Sequence, residues 1–294
     1  MASFVINEEF LQQLETLQML IKNNVAGLFG GTHQSKSFGS SCEFADYRDY
    51  QAGDDISKID WNAYARFEKL YMKLYLDERQ MHTRIYIDAS KSMEHGDSKK
   101  SDQALRLAAA IAYLSVSEMD KVSVYVIKNG SVEEIISSIV GKESFISSIG
   151  KLNNIVFEGD SFISEALLPS KVGYGDGMSV IISDFLTDND YEQAIDLLVN
   201  KKRHVFCIQI LSSEEINPTV RGKVHFFDSE SSARFYRKNI TRDIARAYKE
   251  ALEYVRTRIS SYCAARGADY LFCAAEDSIN KIMFEKIVNM GVVK

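Results

Sequence analysis

From Thr83 onward, short apolar runs alternate with longer segments of helical periodicity. Nearly continuous hydrophobic runs are typical of parallel strands, because helices cover such strands on both faces. The strand candidates are Arg84–Asp88, Val122–Ile127, Met178–Ser183, His204–Leu211 and Tyr270–Cys273. The helix candidates are Ser101–Glu118, Lys142–Leu152, Ser161–Leu168, Tyr191–Asn200, Thr241–Arg266 and Ser278–Met290. This alternation predicts an α/β domain with a doubly wound, mostly parallel sheet.

The first 79 residues follow a different pattern. Apolar residues at helical spacing predict a helix over Asn7–Asn24, and the Gly- and Ser-rich stretch Gly27–Ser41 predicts a loop. Within Phe44–Glu78, the aromatic-rich pieces "WNAYARF" and "KLYMKLYL" predict antiparallel strands of a small β element, with Trp61 as a core anchor. We therefore divide the chain into residues 1–79, with the helix, loop and β element, and residues 80–294, the α/β domain.

Composition narrows the classes of function. The net charge of −6 argues against broad binding of phosphate backbones, so no nucleic-acid partner is expected. The longest strongly apolar run, Leu107–Val116, is too short to cross a bilayer, and Met1–Phe10 lacks the basic start of a signal peptide. A cytoplasmic protein without stable membrane insertion is therefore expected. The cysteines form no C-x-x-C pair and the histidines have no metal spacing, which disfavours a zinc site or a Ser-His-Asp triad.

Three polar loops are expected at the carboxyl edge of the sheet, where open parallel sheets bind ligands. The loop "DASKS" supplies Asp88, Ser90 and Ser92, "EGDSFISEAL" supplies Ser161, and "IISDFLTD" supplies Asp184. Two carboxylates and three hydroxyls, without sulfur or imidazole, suit Mg²⁺ or Mn²⁺. An aspartate at a strand end is also a common helix cap, so each loop alone is weak evidence. Together, the three loops predict a cation site with an open coordination position.

The loops "DASKSM", "GDSFISEAL" and "ISDF" resemble the metal-ion-dependent adhesion site of von Willebrand factor A-type domains. In that family the D-x-S-x-S serines, a threonine and an aspartate surround one divalent cation. The resemblance implies a Rossmann-type fold and the metal ligands Asp88, Ser90, Ser92, Ser161 and Asp184. This sequence departs from the family at Ser161, where the family usually has threonine. The hydroxyl is kept, so coordination by this residue is still expected.

The upstream segment Cys42–Arg79 is very similar to the hallmark of the domain-of-unknown-function 58 family of bacterial proteins, which precedes an A-type domain. That hallmark reads E-F-x-x-Y-R-x-Y-x-x-G-D-x-x-x-x-I-D-W. The matching residues are Glu43, Phe44, Tyr47, Arg48, Tyr50, Gly53, Asp54, Ile59, Asp60, Trp61 and Arg66. Family members are commonly linked with MoxR-type AAA+ ATPases. The resemblance therefore implies a chaperone or assembly role beside such an ATPase.

The hallmark segment leaves two interpretations open. Its carboxylates Asp54, Asp55 and Asp60 could form a second cation site. Alternatively, Arg48 and Arg66 pair with some of these carboxylates and fix the β element against the α/β domain. The second interpretation is favoured, and buried pairing of this kind would make substitutions there costly without any role in binding.

Three classes of function remain open from the sequence. The first is a non-enzymatic adaptor whose cation captures an acidic side chain of a protein partner. The second is a Mg²⁺-dependent hydrolase or phosphotransferase that uses the strand-end aspartates, although Ser90 stands where a D-x-D phosphatase motif has its second aspartate. The third is a scaffold with a vestigial site. The sequence contains no G-x-x-x-x-G-K-[ST] loop, so an ATP-driven role would take its hydrolysis from a partner.

Overall fold

A computed structural model describes residues 5–25, 44–75, 80–94, 99–167, 177–186, 191–218, 222–227 and 235–283. The strands are β1 (Phe44–Asp49), β2 (Tyr71–Tyr75), β3 (His82–Asp88), β4 (Lys121–Lys128), β5 (Ser131–Ile139), β6 (Met178–Ser183), β7 (His204–Leu211), β8 (Gly222–Phe227), β9 (Phe235–Ile240) and β10 (Asp269–Ala274). The helices are α1 (Glu8–Val25), α2 (Trp61–Phe67), α3 (Lys100–Ser117), α4 (Gly141–Ile149), α5 (Ile163–Leu167), α6 (Tyr191–Asn200), α7 (Ser213–Ile216), α8 (Arg242–Ala265) and α9 (Ile279–Lys281).

The chain divides into two compact units. The large unit contains Met1–Lys22 and Met81–Val293, and the small unit contains Asn23–Gln80. Most of α1 therefore belongs to the large unit, where the backbone of Ile6 donates to the side-chain oxygen of Asn153 at 2.9 Å. Our division into residues 1–79 and 80–294 stays a prediction, because a grouping by contacts does not measure independent folding.

The large unit is built on a six-stranded sheet with the order β10-β7-β6-β3-β4-β5. All neighbours pair in parallel except β4 and β5, which are antiparallel. The predicted doubly wound, mostly parallel α/β fold is confirmed. Strand β5 was not predicted, because it is an edge strand whose side chains are mostly exposed or half-buried and so do not form a continuous apolar run. Asn129 and Gly130 join it to β4 with φ values of +48° and +68°, as two-residue hairpin turns require.

Helices cover both faces of this sheet. Side chains from α5, α6 and α8 pack with Tyr86, Ile181 and Cys207 in one buried cluster. Because side chains alternate along a strand, neighbouring residues such as Ile85 and Val180 point to the opposite face, where α3 packs. Every residue of β6 is buried, as expected for a strand covered on both sides. None of the described helices is both long and apolar enough to span a bilayer.

The small unit corrects two predictions. Strands β1 and β2 pair antiparallel as expected, but "WNAYARF" forms the helix α2 rather than a strand. The Asp60 side chain explains this, because it accepts hydrogen bonds from the backbone N–H groups of Asn62 and Ala63 and so caps a helix. Trp61 is 57% exposed, so the prediction of a core anchor was wrong. As the first helical residue it lies edge-on to Tyr64, away from the core.

Four further elements were missed, differ from their predicted bounds or are not fully described by the structure. The hairpin of β8 and β9 was not predicted, and the expected helix over Ser278–Met290 is described only as far as residue 283. The expected helix that begins at Ser161 begins at Ile163, which leaves Ser161 in the preceding loop. The predicted loop Gly27–Ser41 lies outside the described residues.

Candidate cation-binding site

The strand order brings two carboxylates to one edge of the sheet. Asp88 ends β3, and Asp184 directly follows β6, the parallel neighbour of β3. The next strand in sequence after β3, which is β4, lies on the other side of β3. The chain therefore reverses its winding direction between β3 and β6. Open α/β sheets bind ligands at such a switch point.

The loop that carries Ser161 is fixed to its neighbours by the main chain. The backbone of Lys91 donates to the Gly159 carbonyl at 3.0 Å, and that of Glu158 donates to the Ala89 carbonyl at 2.8 Å. From the β4–β5 turn, the side-chain oxygen of Asn129 accepts from the Asp160 N–H at 3.0 Å. The missed strand β5 thus matters to the site, because its turn holds the second of the three loops.

All five predicted site residues lie in one hydrogen-bonded network. Asp88 accepts from the Ser161 hydroxyl at 2.7 Å through Oδ2 and from the Ser90 backbone at 3.0 Å through Oδ1. The Ser90 and Ser92 hydroxyls are 3.0 Å apart, and Ser92 donates to Asp184 Oδ2 at 2.8 Å. The predicted convergence of the three loops is therefore observed. Their role as metal ligands stays a prediction.

Ser183 belongs to the same network and was missed. Its hydroxyl donates to Asp88 Oδ2 at 2.6 Å and accepts from the Phe185 N–H at 3.0 Å. Phe185 is buried with a φ of +52°, a left-handed conformation that is rare for a bulky residue. This sharp turn after β6 keeps the Asp184 carboxylate beside Ser92. The sequence signal was present in "ISDF", where a serine precedes the aspartate at a strand end.

Lys100 and Glu215 complete the site and were also missed. The Lys100 ammonium lies 2.8 Å from Asp184 Oδ2 and 2.6 Å from Glu215 Oε1, and the lysine side chain is only 1% exposed. Glu215 is oriented by a capping box at the start of α7, where its other oxygen accepts from the Ser212 backbone. A lysine in the charge-rich stretch "DSKKSD" normally indicates a solvated surface, so its burial could not be read from the pattern.

Burial and charge perturb the ionisation of this network. Burial raises the pKa of Asp88, the nearby Asp184 carboxylate raises it further, and three hydrogen bonds partly offset the rise. Burial alone would lower the pKa of Lys100, but attraction to Asp184 and Glu215 outweighs it, and the net shift is upward. The Lys100 ammonium therefore lies between the carboxylates of Asp184 and Glu215, while Asp88 belongs to the same network through the serines.

The residues present fit a small, hard divalent cation. Hydroxyl and carboxylate oxygens are the ligands that Mg²⁺ and Mn²⁺ prefer. The raised pKa of the buried Asp88 also means that an additional positive charge would stabilise its ionised form. No group of three or more histidine, cysteine or carboxylate side chains suited to a metal ion occurs in the described part of the chain. A cation bound by the five network residues would be held by serine hydroxyls as well as by carboxylates.

The hallmark carboxylates each have their own protein donors. Asp54 forms an ion pair with Arg48 at 2.9 Å, and Asp55 accepts from the backbone and hydroxyl of Ser57. Asp60, besides capping α2, accepts from the Tyr47 hydroxyl at 2.8 Å. The predicted pairing of Arg48 with a hallmark carboxylate is observed within the small unit, and its role in fixing the β element against the α/β domain stays a prediction. Among the described residues, Arg66 makes no ion pair with these carboxylates and instead lines a cavity of about 530 Å³ beside α2.

Comparison with known proteins places the chain in a family. Residues 46–258 match the model of "Protein of unknown function DUF58". The uncharacterized protein Rv1480 of Mycobacterium tuberculosis is 26% identical over 225 residues, which cover 74% of this chain and 70% of that protein. The uncharacterized protein Mb1516 of Mycobacterium bovis matches to the same extent.

Solved structures with a similar arrangement are more distant. BatB from Bacteroides thetaiotaomicron is 15% identical with a TM-score of 0.43, over 72% of this chain and 99% of that one. The VWA domain of SpRpn10 is 11% identical with a TM-score of 0.40, over 72% and 95% of the two chains. Likenesses this remote do not bear on what the chain binds. The family match, in contrast, covers most of the sequence, and the chain belongs to the DUF58 family.

Proposed function

We propose that this chain is a non-enzymatic, protein-binding adaptor whose site holds Mg²⁺ or Mn²⁺ and thereby captures an acidic side chain of a protein partner. One observation carries the proposal. Two buried carboxylates and three serine hydroxyls, contributed by three separate loops, form a single network at the switch point of the sheet. Burying polar groups costs free energy, and packing of the core does not require this many oxygen atoms at one buried point.

The proposed ligands differ in charge. The hydroxyl oxygens of Ser90, Ser92 and Ser161 are neutral donors, while Asp88 and Asp184 supply the negative charge. Five protein oxygens leave one position of an octahedral cation open, and a carboxylate from outside could fill it. When bound, the metal would supply electrostatic attraction, and the surrounding loops would supply contact area and specificity.

The burial of Asp88 argues against this carboxylate attacking a substrate directly or taking a proton from it. Its side chain is fully buried, and its two oxygens accept three hydrogen bonds, from Ser161, Ser183 and the Ser90 backbone. A nucleophile or general base needs a lone pair within reach of the substrate. The hydrolase alternative predicts that Mg²⁺-dependent phosphatase or nuclease activity exceeds that of an Asp184→Ala variant, and a screen with generic substrates tests this.

For the partner, we propose a MoxR-type AAA+ ATPase, with the chain recruiting a client protein or coupling it to the ATPase. The proposal rests on the family resemblance and on the absence of a phosphate-binding G-x-x-x-x-G-K-[ST] loop from the sequence. An adaptor of this kind would leave ATP hydrolysis to its partner. A cytoplasmic location is part of the same proposal.

A chelator-controlled pull-down tests this function. Wild-type bait is compared with Asp88→Asn, which removes a charge from the site while keeping side-chain size. The matched control is Asp269→Asn, because Asp269 begins β10 at the opposite, amino edge of the sheet and pairs with His204. We expect wild type and the control to recover the same partner in Mg²⁺, and the site variant or added EDTA to lose it. Recovery that is insensitive to both chelator and Asp88→Asn would contradict cation-dependent binding.

A further inference from the structure

We propose that the Lys100 ammonium is the resident cation of this site and that a divalent metal binds only by displacing it from Asp184. The inference rests on the proposed function, because both concern the same site. It adds a residue outside the five predicted ligands. It also makes occupancy by metal conditional, since metal and ammonium compete for one carboxylate.

One oxygen of the Asp184 carboxylate, Oδ2, is saturated with hydrogen-bond donors. This atom receives both the Ser92 hydroxyl at 2.8 Å and the Lys100 ammonium at 2.8 Å, which uses the two lone pairs of that oxygen. The Oδ1 atom accepts from the backbone of Leu186 at 3.1 Å. A metal that takes a lone pair of Oδ2 must therefore replace one of these donors. The ammonium is the donor that a second positive charge would repel.

The burial of the charges also opposes simultaneous binding of the metal and the ammonium. Lys100 and Asp184 are each only 1% exposed, so water screens the ammonium poorly. A divalent cation at the same oxygens would lie within a few ångströms of it. Repulsion at such a distance in a poorly solvated site strongly opposes simultaneous occupancy. The Lys100–Asp184 contact and metal binding are thus alternative states.

The displaced lysine would keep Glu215 as an ion-pair partner. Glu215 holds the ammonium at 2.6 Å from the other side, and its own side chain is 25% exposed. Glu215 is itself fixed by its capping contact with Ser212, so it remains as a partner when Asp184 is lost. A small movement of Lys100 toward Glu215 would free Oδ2 without leaving a buried charge unpaired.

A comparison of Mn²⁺ affinities tests the competition. Binding is followed by the electron paramagnetic resonance signal of free Mn²⁺ for wild type, Lys100→Met and Lys99→Met. The last variant is a matched control, because Lys99 lies one residue away and pairs with Glu94 at 2.8 Å rather than with Asp184. We expect Lys100→Met to bind Mn²⁺ about tenfold more tightly than wild type or more, and Lys99→Met to stay within about threefold of wild type.

The first two of the following results separate the inference from the proposed function. Tight binding by Lys100→Met with none by wild type would support the resident ammonium and overturn a cation-dependent function. Equal or weaker binding by Lys100→Met would overturn the competition while leaving a metal site in wild type. Binding by neither chain would overturn both. Should Lys100→Met fail to fold, wild-type crystals soaked in Mn²⁺ decide. An ammonium that stays within about 3 Å of Asp184 beside a bound metal refutes displacement, and one that has moved away supports it.

Discussion

The buried ion pair of Lys100 and Asp184 allows a quantitative prediction about the metal-free protein. Both side chains are 1% exposed and separated by 2.8 Å. Removing one member of such a pair leaves the other charge buried, which costs about 3–5 kcal/mol of unfolding free energy. We expect Lys100→Met to approach this range. Asp184→Asn should cost less, because Lys100 keeps its contact with Glu215 at 2.6 Å.

The double variant separates the pair from its surroundings. When both members are replaced, no charge of this pair is left uncompensated. The combined loss should therefore be about 1–3 kcal/mol smaller than the sum of the single losses. Urea unfolding followed by circular dichroism, with EDTA present throughout, measures the three free energies. The chelator ensures that bound metal does not stabilise any of the variants.

A second cycle provides the control. Lys99 and Glu94 form an ion pair of the same length, but their side chains are 28% and 18% exposed. Solvent screens this pair, so Lys99→Met and Glu94→Gln should couple by less than about 1 kcal/mol. Additive losses within about 0.5 kcal/mol for the Lys100 and Asp184 variants would show that the ammonium does not neutralise Asp184, and would refute the reasoning.

Three further predictions concern the surroundings of the site. In Gly159→Ala the new Cβ would lie 2.2 Å from Asn129 Oδ1 and would displace the loop that carries Ser161. Mn²⁺ titrations should therefore show binding weakened about tenfold. Gly150→Ala is the control, because its Cβ meets open space, and it should bind Mn²⁺ as wild type does. Ser183→Ala leaves the buried Phe185 N–H unpaired and should lower the unfolding free energy by about 1–3 kcal/mol in urea titrations. Burial and positive neighbours lower the pKa of His82 from 6.5 to about 4, so between these pH values the unfolded chain binds a proton that the folded chain does not, and stability falls as the pH is lowered from about 6.5 to about 4. His82→Gln should flatten this fall in urea midpoints.

The sheet could be predicted because its strands carry their own signal. Strands buried on both faces read as continuous apolar runs, and five such runs became β3, β4, β6, β7 and β10. Asp88 and Asp184 follow from the same logic, since the carboxyl ends of parallel strands share one edge. Elements without that signal were missed, as the edge strand β5 shows.

The remaining errors have local causes. In "DWNAYARF" the aromatic residues suggested a strand, but the aspartate before Trp61 caps a helix instead. In this helix the indole of Trp61 is exposed. The place of Lys100 and Glu215 in the site was not predicted, for a different reason. A buried lysine is recognisable only from its partners, and these lie 84 and 115 residues away in the chain. Neither residue lies in one of the three loops that the strand ends and the family resemblance indicated.

The central claim is that the network of serines and aspartates holds a divalent cation. Isothermal titration calorimetry of Mn²⁺ into the metal-free protein measures this directly. We predict one binding site in wild type, retained in Asp269→Asn and abolished in Asp88→Asn, with circular dichroism showing that each variant is folded. Absence of Mn²⁺ and Mg²⁺ binding by the wild-type protein, or binding that survives Asp88→Asn, would contradict it.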